Sequence, residues 1–308
     1  MYNNFKSLKN KDKKVPKYSI SPELYDQSIP QIATAKSIVL DFLNKIHVHG
    51  GETIIDACCG TGNLADFLGG YLPNCNILGL DNAENMIEFA KENHSQNNVS
   101  FLLGELTLFN ESLKKSADLI ICSWAVSHIP MEQQKVFTNN LYQYLKKEGH
   151  LIVLFPIMGS TLSTVIQETV KSEKWNKIFT QLDNKRVTFT EAQYDELLRQ
   201  VGFIDRKVSR CSEKIIFKDQ NELRCFIITS LARYLPYLPD PELCETFIND
   251  ITTNYQEKVP DRSYTVTILS AIAKRPSLNL LLQKTGSFNS IPNRNQEEVT
   301  QLLYSKLD

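Results

Sequence analysis

The chain has little that would commit it to a membrane, a metal or a nucleic acid. Its 308 residues carry a formal net charge of −1, so no field of one sign draws it to an anionic surface or polymer. Its longest apolar runs, around Leu119–Val126 and Leu151–Met158, fall well short of the ~18 residues a membrane span needs. The opening MYNNFKSLKN lacks the apolar core of a signal segment. No CxxC pair occurs among the seven cysteines, and their odd number argues against a disulfide framework or a zinc site. Cys58 and Cys59 are adjacent, too close for an unstrained bridge. These absences point to a cytoplasmic protein with reduced thiols, no metal, no nucleic-acid partner and no membrane span. The one dense charge run, Lys6, Lys9, Lys11, Lys13, Lys14 and Lys17, reads as a solvated arm.

What is present is alternation. Short apolar runs at Thr53–Ala57, Asn76–Leu80, Val99–Leu103, Asp118–Ser123 and His150–Phe155 read as buried strands. Between them lie helical patterns at about Asn63–Leu72, Ala83–Asn93 and Met131–Lys147, the last closed by KKEGH. Such alternation predicts an α/β fold with a doubly wound, mostly parallel sheet. Beyond it, residues 157–190 look helical and hold Trp175. A helix over Glu191–Val201 takes Thr190 as its cap, and Ile204–Ser209 and Ser212–Phe217 read as two strand pieces. Two helices follow around the LPYLPDPE turn, then a strand over Thr265–Ala273. The expected organisation is an N-terminal arm and lid helix over 1–36 and a catalytic domain over 37–275. Helical insertions at about 157–190 and 219–263 would form a cap, and a tail over 276–308 would hold a helix, Gln296–Lys306.

Chemistry concentrates in TIIDACCGTGNLA, between the first strand and its helix. Glycines there let the backbone approach a ligand and present N–H groups at a helix start. Asp81, at the end of the second strand, suits a carboxylate that accepts ribose hydroxyls. The spacing Gly60-x-Gly62-x-x-Ala65 also fits a dinucleotide loop, so an NAD-dependent oxidoreductase is a competing reading. Charge separates the two. No Lys or Arg occurs from Ile46 to Ala90, while Glu52, Asp56, Asp66, Asp81, Glu84 and Glu88 do. Asp56 would lie beside a pyrophosphate, where two like charges ~4 Å apart repel by a few kcal/mol. A phosphate-free cation, S-adenosylmethionine, suits this pocket better.

The segment resembles the class I S-adenosylmethionine-dependent methyltransferases. Asp56, Gly60 and Gly62 match their first motif, Asp81 in LGLDNAENMIEFAKEN the second, and Gly104, Glu105 and Leu106 the third. ADLIICSWAVSHIP and LKKEGHLIVLF match the fourth and fifth strands. Cys58 stands where the first glycine is usual. The resemblance implies a Rossmann-like, seven-stranded sheet. It places the cofactor, and its product S-adenosylhomocysteine, against Asp56, Cys58, Gly60, Gly62, Asp81, Asn82, Glu105, Leu106 and Ser123. VTFTEAQYDELLRQVGF, SLARYLPYLPDPELCETFINDI and YTVTILSAIAKRP resemble the carboxyl methyltransferases of small acids, the trans-aconitate and juvenile hormone acid types. Tyr25 and Gln31 in LYDQSIPQIATA resemble the aromatic and Gln of their lid helix. Those enzymes carry a His-Trp pair after the fourth strand, where this chain has Ser127-His128-Ile129.

A small-molecule acceptor follows, with Tyr25, Gln31, Trp124 and Trp175 as candidate walls of its pocket and His128 as an orienting group or base. A sulfonium methyl is already activated, so no protein nucleophile is needed. O-methylation of a carboxylate leads; a quinone-like ring carbon, an amine, or a non-catalytic cofactor-binding relative are the alternatives.

Overall fold

A computed structural model describes residues 20–46, 48–94, 96–157, 159–182 and 187–277. Residues 1–275 form one compact unit; 276–308 are a separate unit, and the tail helix expected at Gln296–Lys306 lies outside the described residues, as do the arm lysines.

Two helices lead, α1 (Pro22–Asp26) and α2 (Ile29–Leu43). The alternating core follows: β1 (Thr53–Ala57), α3 (Asn63–Tyr71), β2 (Asn76–Asp81), α4 (Glu84–Asn93), β3 (Val99–Leu103), β4 (Ala117–Ser123), α5 (Gln134–Tyr144) and β5 (Leu145–Pro156). Then come α6 (Thr161–Lys171), α7 (Glu191–Val201), β6 (Ile204–Ile216), α8 (Gln220–Ser230), α9 (Pro241–Lys258) and β7 (Ser263–Lys274). The sheet order is β3-β2-β1-β4-β5-β7-β6. Strands β1 to β5 pair in parallel, and β7 runs antiparallel to both β5 and β6. The expected doubly wound, mostly parallel seven-stranded sheet is therefore the observed one. Strand order reverses between β1 and β4, the place where such sheets open a crevice at their carboxyl ends.

One face of the sheet packs under α2, α3, α6, α8 and α9; the other packs under α5 and α7. Helix α9 packs on an aromatic cluster, with its Phe247 at 4.9 Å from Trp175 and 5.0 Å from Phe179 between ring centroids. Local chemistry fixes the helix starts. Thr190 and Gln193 form a reciprocal capping box for α7, which ends on Gly202 at φ 107°. Asp219 and Asp240 accept the N–H groups of Glu222 and Leu243 at the starts of α8 and α9. No helix among the described residues is long and apolar enough to cross a membrane.

Several boundaries depart from expectation. The helix expected over Met131–Lys147 ends at Tyr144, and KKEGH belongs to β5. Arg275 donates to the carbonyls of Tyr142, Gln143 and Leu145, while Lys146 pairs with Asp118 at 2.7 Å. The helix end is thus satisfied from the far end of β7 rather than by a local stop. The two strand pieces around 204–217 are one strand, because β6 pairs along β7 straight through Arg210 and Cys211. Of residues 157–190, the helix occupies only Thr161–Lys171, and Trp175 and Phe179 follow in turns. Helix α2 runs through residue 36, so the lid and the sheet domain do not divide there.

Candidate functional site

The carboxyl ends of β1, β2 and β4 meet at a crevice, and the turn after β1 shapes it. Cys58 (φ 61°), Gly60 (φ 55°) and Gly62 (φ 87°) all adopt left-handed backbone, which glycine tolerates and cysteine resists. Asp81 ties this turn to β2. Its carboxylate, 2% exposed, accepts the Gly60 N–H at 2.8 Å and the Ala83 N–H at 2.9 Å. The side chain therefore caps the approach to α4 and braces the glycine turn while still bordering a cleft of about 610 Å³. Gly62 serves packing instead of ligand approach: a Cβ there would lie 2.6 Å from the Phe101 ring.

Three clefts converge on Cys58. The first holds Asp81, Asn82, Glu105 and Leu106. Asn82 donates to Glu105 at 2.8 Å, and Thr107 donates to the same carboxylate through its N–H and hydroxyl. Burial pushes the Glu105 carboxyl up, but these bonds outweigh it and hold it below its ordinary range. The second cleft, about 450 Å³, is bordered by Asp56, Ser123, Trp124, Tyr25 and Gln31. The third and largest, about 1380 Å³, opens under the cap and shares Cys58, Ser123, Trp124, Tyr25 and Gln31 with the second, and His128 with the first.

The first two clefts are acidic. Asp56 is 2% exposed; burial above all, and the nearby Asp81 carboxylate, push its pKa from 3.8 up to about 8, against an opposing bond from the Ala65 N–H. Its Oδ2, and the Ser123 hydroxyl, are buried with no hydrogen-bond partner. Among the described residues, no Lys or Arg lines either cleft. A buried orphan carboxyl beside a cleft with no Lys or Arg among the described lining residues has the chemistry to pair with a cation. The third cleft inverts this pattern. Among the described residues that line it are Arg233 and no Asp or Glu.

The N-terminal helices close the crevice. Asn63, at the start of α3, donates to the carbonyl and carboxylate of Asp26 at 3.1 and 2.5 Å. Ser28 meets Thr229 of α8 at 3.2 Å, and the Trp124 indole donates to Thr34 of α2 at 3.0 Å. The N-terminal helices thus contact α3, the loop leaving β4 and α8.

Of the candidates, Asp56, Cys58, Asp81, Asn82, Glu105, Leu106, Ser123, Trp124, Tyr25, Gln31 and His128 all line this system. Gly60 acts through its N–H to Asp81. Trp175 does not join them: it is 1% exposed, donates to Asp250 at 2.8 Å and packs on Phe247, so it anchors α9 instead of walling the acceptor. Thr229, Arg233 and Tyr264 line the third cleft and went unnoticed in the sequence. The lone signal was an Arg inside the apolar stretch SLARYLP.

Residues 54–149 match the family described as a methyltransferase domain. Protein 235L of Invertebrate iridescent virus 6 is 25% identical over 215 residues, 70% of this chain and 78% of its own length. Juvenile hormone acid O-methyltransferase of Bombyx mori is 25% identical over 212 residues, 65% of this chain and 72% of its length. Among solved structures, phosphoethanolamine N-methyltransferase 2 of Haemonchus contortus, in complex with S-adenosyl-L-methionine, shares the fold at a TM-score of 0.51 and 16% identity. That match covers 80% of this chain and 53% of the other, so this chain spans about half its length.

Proposed function

We propose that this chain, an S-adenosylmethionine-dependent methyltransferase of the class I fold, methylates a carboxylate oxygen of a small molecule held under helices α6, α8 and α9. One observation carries this reading: carboxylates line the two smaller clefts, while among the described residues none lines the large one, which Arg233 borders.

The residues present fit the cofactor. Orphaned Asp56 Oδ2 would receive its ammonium end, and Asp81 with Glu105 would hold the nucleoside. Bound there, it supplies a methyl activated by a sulfonium. The protein's remaining tasks are alignment and exclusion of water. Cys58, Ser123 and Trp124 border both the cofactor side and the acceptor cleft, so an acceptor atom reaches its reaction partner past them. The bonds from Asp26, Ser28 and Thr34 hold the lid shut over that point. A carboxylate is ionised at neutral pH, so no base has to act, and His128 at the exposed rim serves to orient.

The test is methyl transfer from radiolabelled S-adenosylmethionine to a panel of small carboxylic acids, phenols, amines and quinols. Esters of carboxylic acids release labelled methanol in mild alkali. A base-labile product on acids is expected; a base-stable product on an amine or ring carbon overturns the carboxylate reading.

A further inference from the structure

A short turn divides the first cleft from the third. After β4 the chain makes a single 3-10 turn, Val126–His128. Ala125 and His128 border both clefts, Ser127 the third and Ile129 the first. Two backbone bonds close the turn, from the His128 N–H to the Ala125 carbonyl at 2.8 Å and from the Ile129 N–H to the Val126 carbonyl at 3.1 Å. Such turns are short and poorly bonded by themselves. One side chain adds two more bonds. Gln134, the first residue of α5 and 2% exposed, donates through Nε2 to the carbonyls of Val126 and Ile129, each at 2.8 Å. Gln134 borders none of the three clefts, and its Oε1 is buried with no hydrogen-bond partner. An unpaired buried acceptor works against stability, and such a group asks for a reason other than packing. The donors of that amide hold both ends of the turn to a helix that Phe137 and Leu141 seat in the core.

Resting on the assignment of these clefts to cofactor and acceptor, we propose that Gln134 is a positioning residue for methyl transfer, fixing the distance across the wall that divides the two. In the transfer itself, a lone pair of the acceptor forms the bond to the methyl carbon. The methyl–sulfur bond breaks with its electron pair left on sulfur. Gln134 exchanges no proton and touches no reacting atom. It acts through alignment alone, where a shift of about 1 Å costs on the order of a hundredfold in rate.

The experiment uses the full chain, labelled S-adenosylmethionine, and the fastest acceptor from a panel of small carboxylic acids, phenols, amines and quinols. Gln134→Met keeps the length of the side chain and loses both donors. Its kcat should fall about tenfold or more, while KM for the acceptor and Kd for S-adenosylhomocysteine move less than about threefold. Gln134→Glu separates positioning from packing. A protonated carboxyl keeps one donor and a carboxylate none, so kcat of this variant, relative to the unmodified protein, should recover as pH is lowered from about 8 to about 6. Hydrogen exchange at the His128 and Ile129 amides, read with S-adenosylhomocysteine bound, should quicken about tenfold or more in the Met variant while the α5 amides stay unchanged. A Met variant that keeps its kcat despite quickened exchange, or that loses kcat, cofactor affinity and Tm together, overturns the role of Gln134 and leaves the cleft assignment standing. If S-adenosylhomocysteine binds the unmodified protein without slowing exchange across Ala125 to Ile129, the cleft assignment falls and the positioning role falls with it.

Discussion

Replacing Asp56 by Asn should make the ligand-free protein more stable and the cofactor weaker in binding. The carboxyl is buried, its Oδ2 unpartnered, and its pKa stands at about 8 against an ordinary 3.8. A folded-state pKa above the unfolded one means that this group's contribution to stability is fully present below 3.8 and is lost as pH rises toward about 8. At pH 7 the unfolded carboxyl is ionised and the folded one protonated. At about 1.4 kcal/mol per pH unit, the interval from 3.8 to 7 amounts to roughly 4 kcal/mol against folding. Asn cannot ionise and escapes that cost, and even a quarter of it moves Tm by about 2–4 °C. Binding carries the opposite sign, because a ligand ammonium requires the ionised carboxylate. Between pH 6 and 8 the Kd of S-adenosylhomocysteine should fall roughly fiftyfold, about ninefold over the first pH unit and less over the second, with close to one proton released per ligand bound at the acid end. Asp56→Asn should flatten that dependence and weaken binding at pH 8 by about 10- to 1000-fold, the range expected for losing a partly desolvated charge pair. Thermal unfolding and isothermal titration calorimetry in buffers of differing ionisation enthalpy read both signs. A variant with lower Tm, or one that keeps the pH dependence of binding, refutes the assignment of Asp56 as a buried cation receptor.

Two further outcomes follow from the site. Gly62→Ala forces a side chain to within 2.6 Å of Phe101 at φ 87°, and should cost about 2 kcal/mol or more in urea unfolding; an unchanged midpoint would show that Phe101 moves aside freely. His128→Asn should lower kcat/KM less than tenfold and leave its pH profile unaltered, since a carboxylate acceptor needs no base; a loss of a hundredfold or more with a vanished limb would make His128 a general base instead.

The sequence exposed those features whose causes are local. Runs such as TIIDA and ADLIICS are apolar because β1 and β4 are covered on both faces, and the Thr190–Gln193 box is written into four consecutive residues. Asp56 and Asp81 were legible because a charge at the end of an apolar strand has few structural uses. What escaped depends on distant partners. KKEGH reads as a helix stop until Arg275, some 130 residues on, is seen holding the carbonyls before it. Trp175 in a helical insertion suits a pocket wall or an anchor equally well, and Asp250, 75 residues away, decides for the anchor. Arg233 and its neighbours Thr229, Ser230, Ala232 and Tyr234 form only one wall of the large cleft; the facing walls come from α6, the exit of β4 and the start of β7, which no local pattern announces.

The suspension of the cap from the sheet has a consequence for how such a protein can diversify. Helix α6 leaves β5, and α8 with α9 are strung between β6 and β7, so most of the acceptor chamber comes from chain that follows the family-matching residues 54–149. On the proposed reading, the methyl source and the methyl destination are therefore inherited on largely separate stretches of one polypeptide. Mutational drift in the later stretch can retune which molecules are accepted while the donor site stays untouched, and chimeras joined in β5 would exchange substrate range as a block.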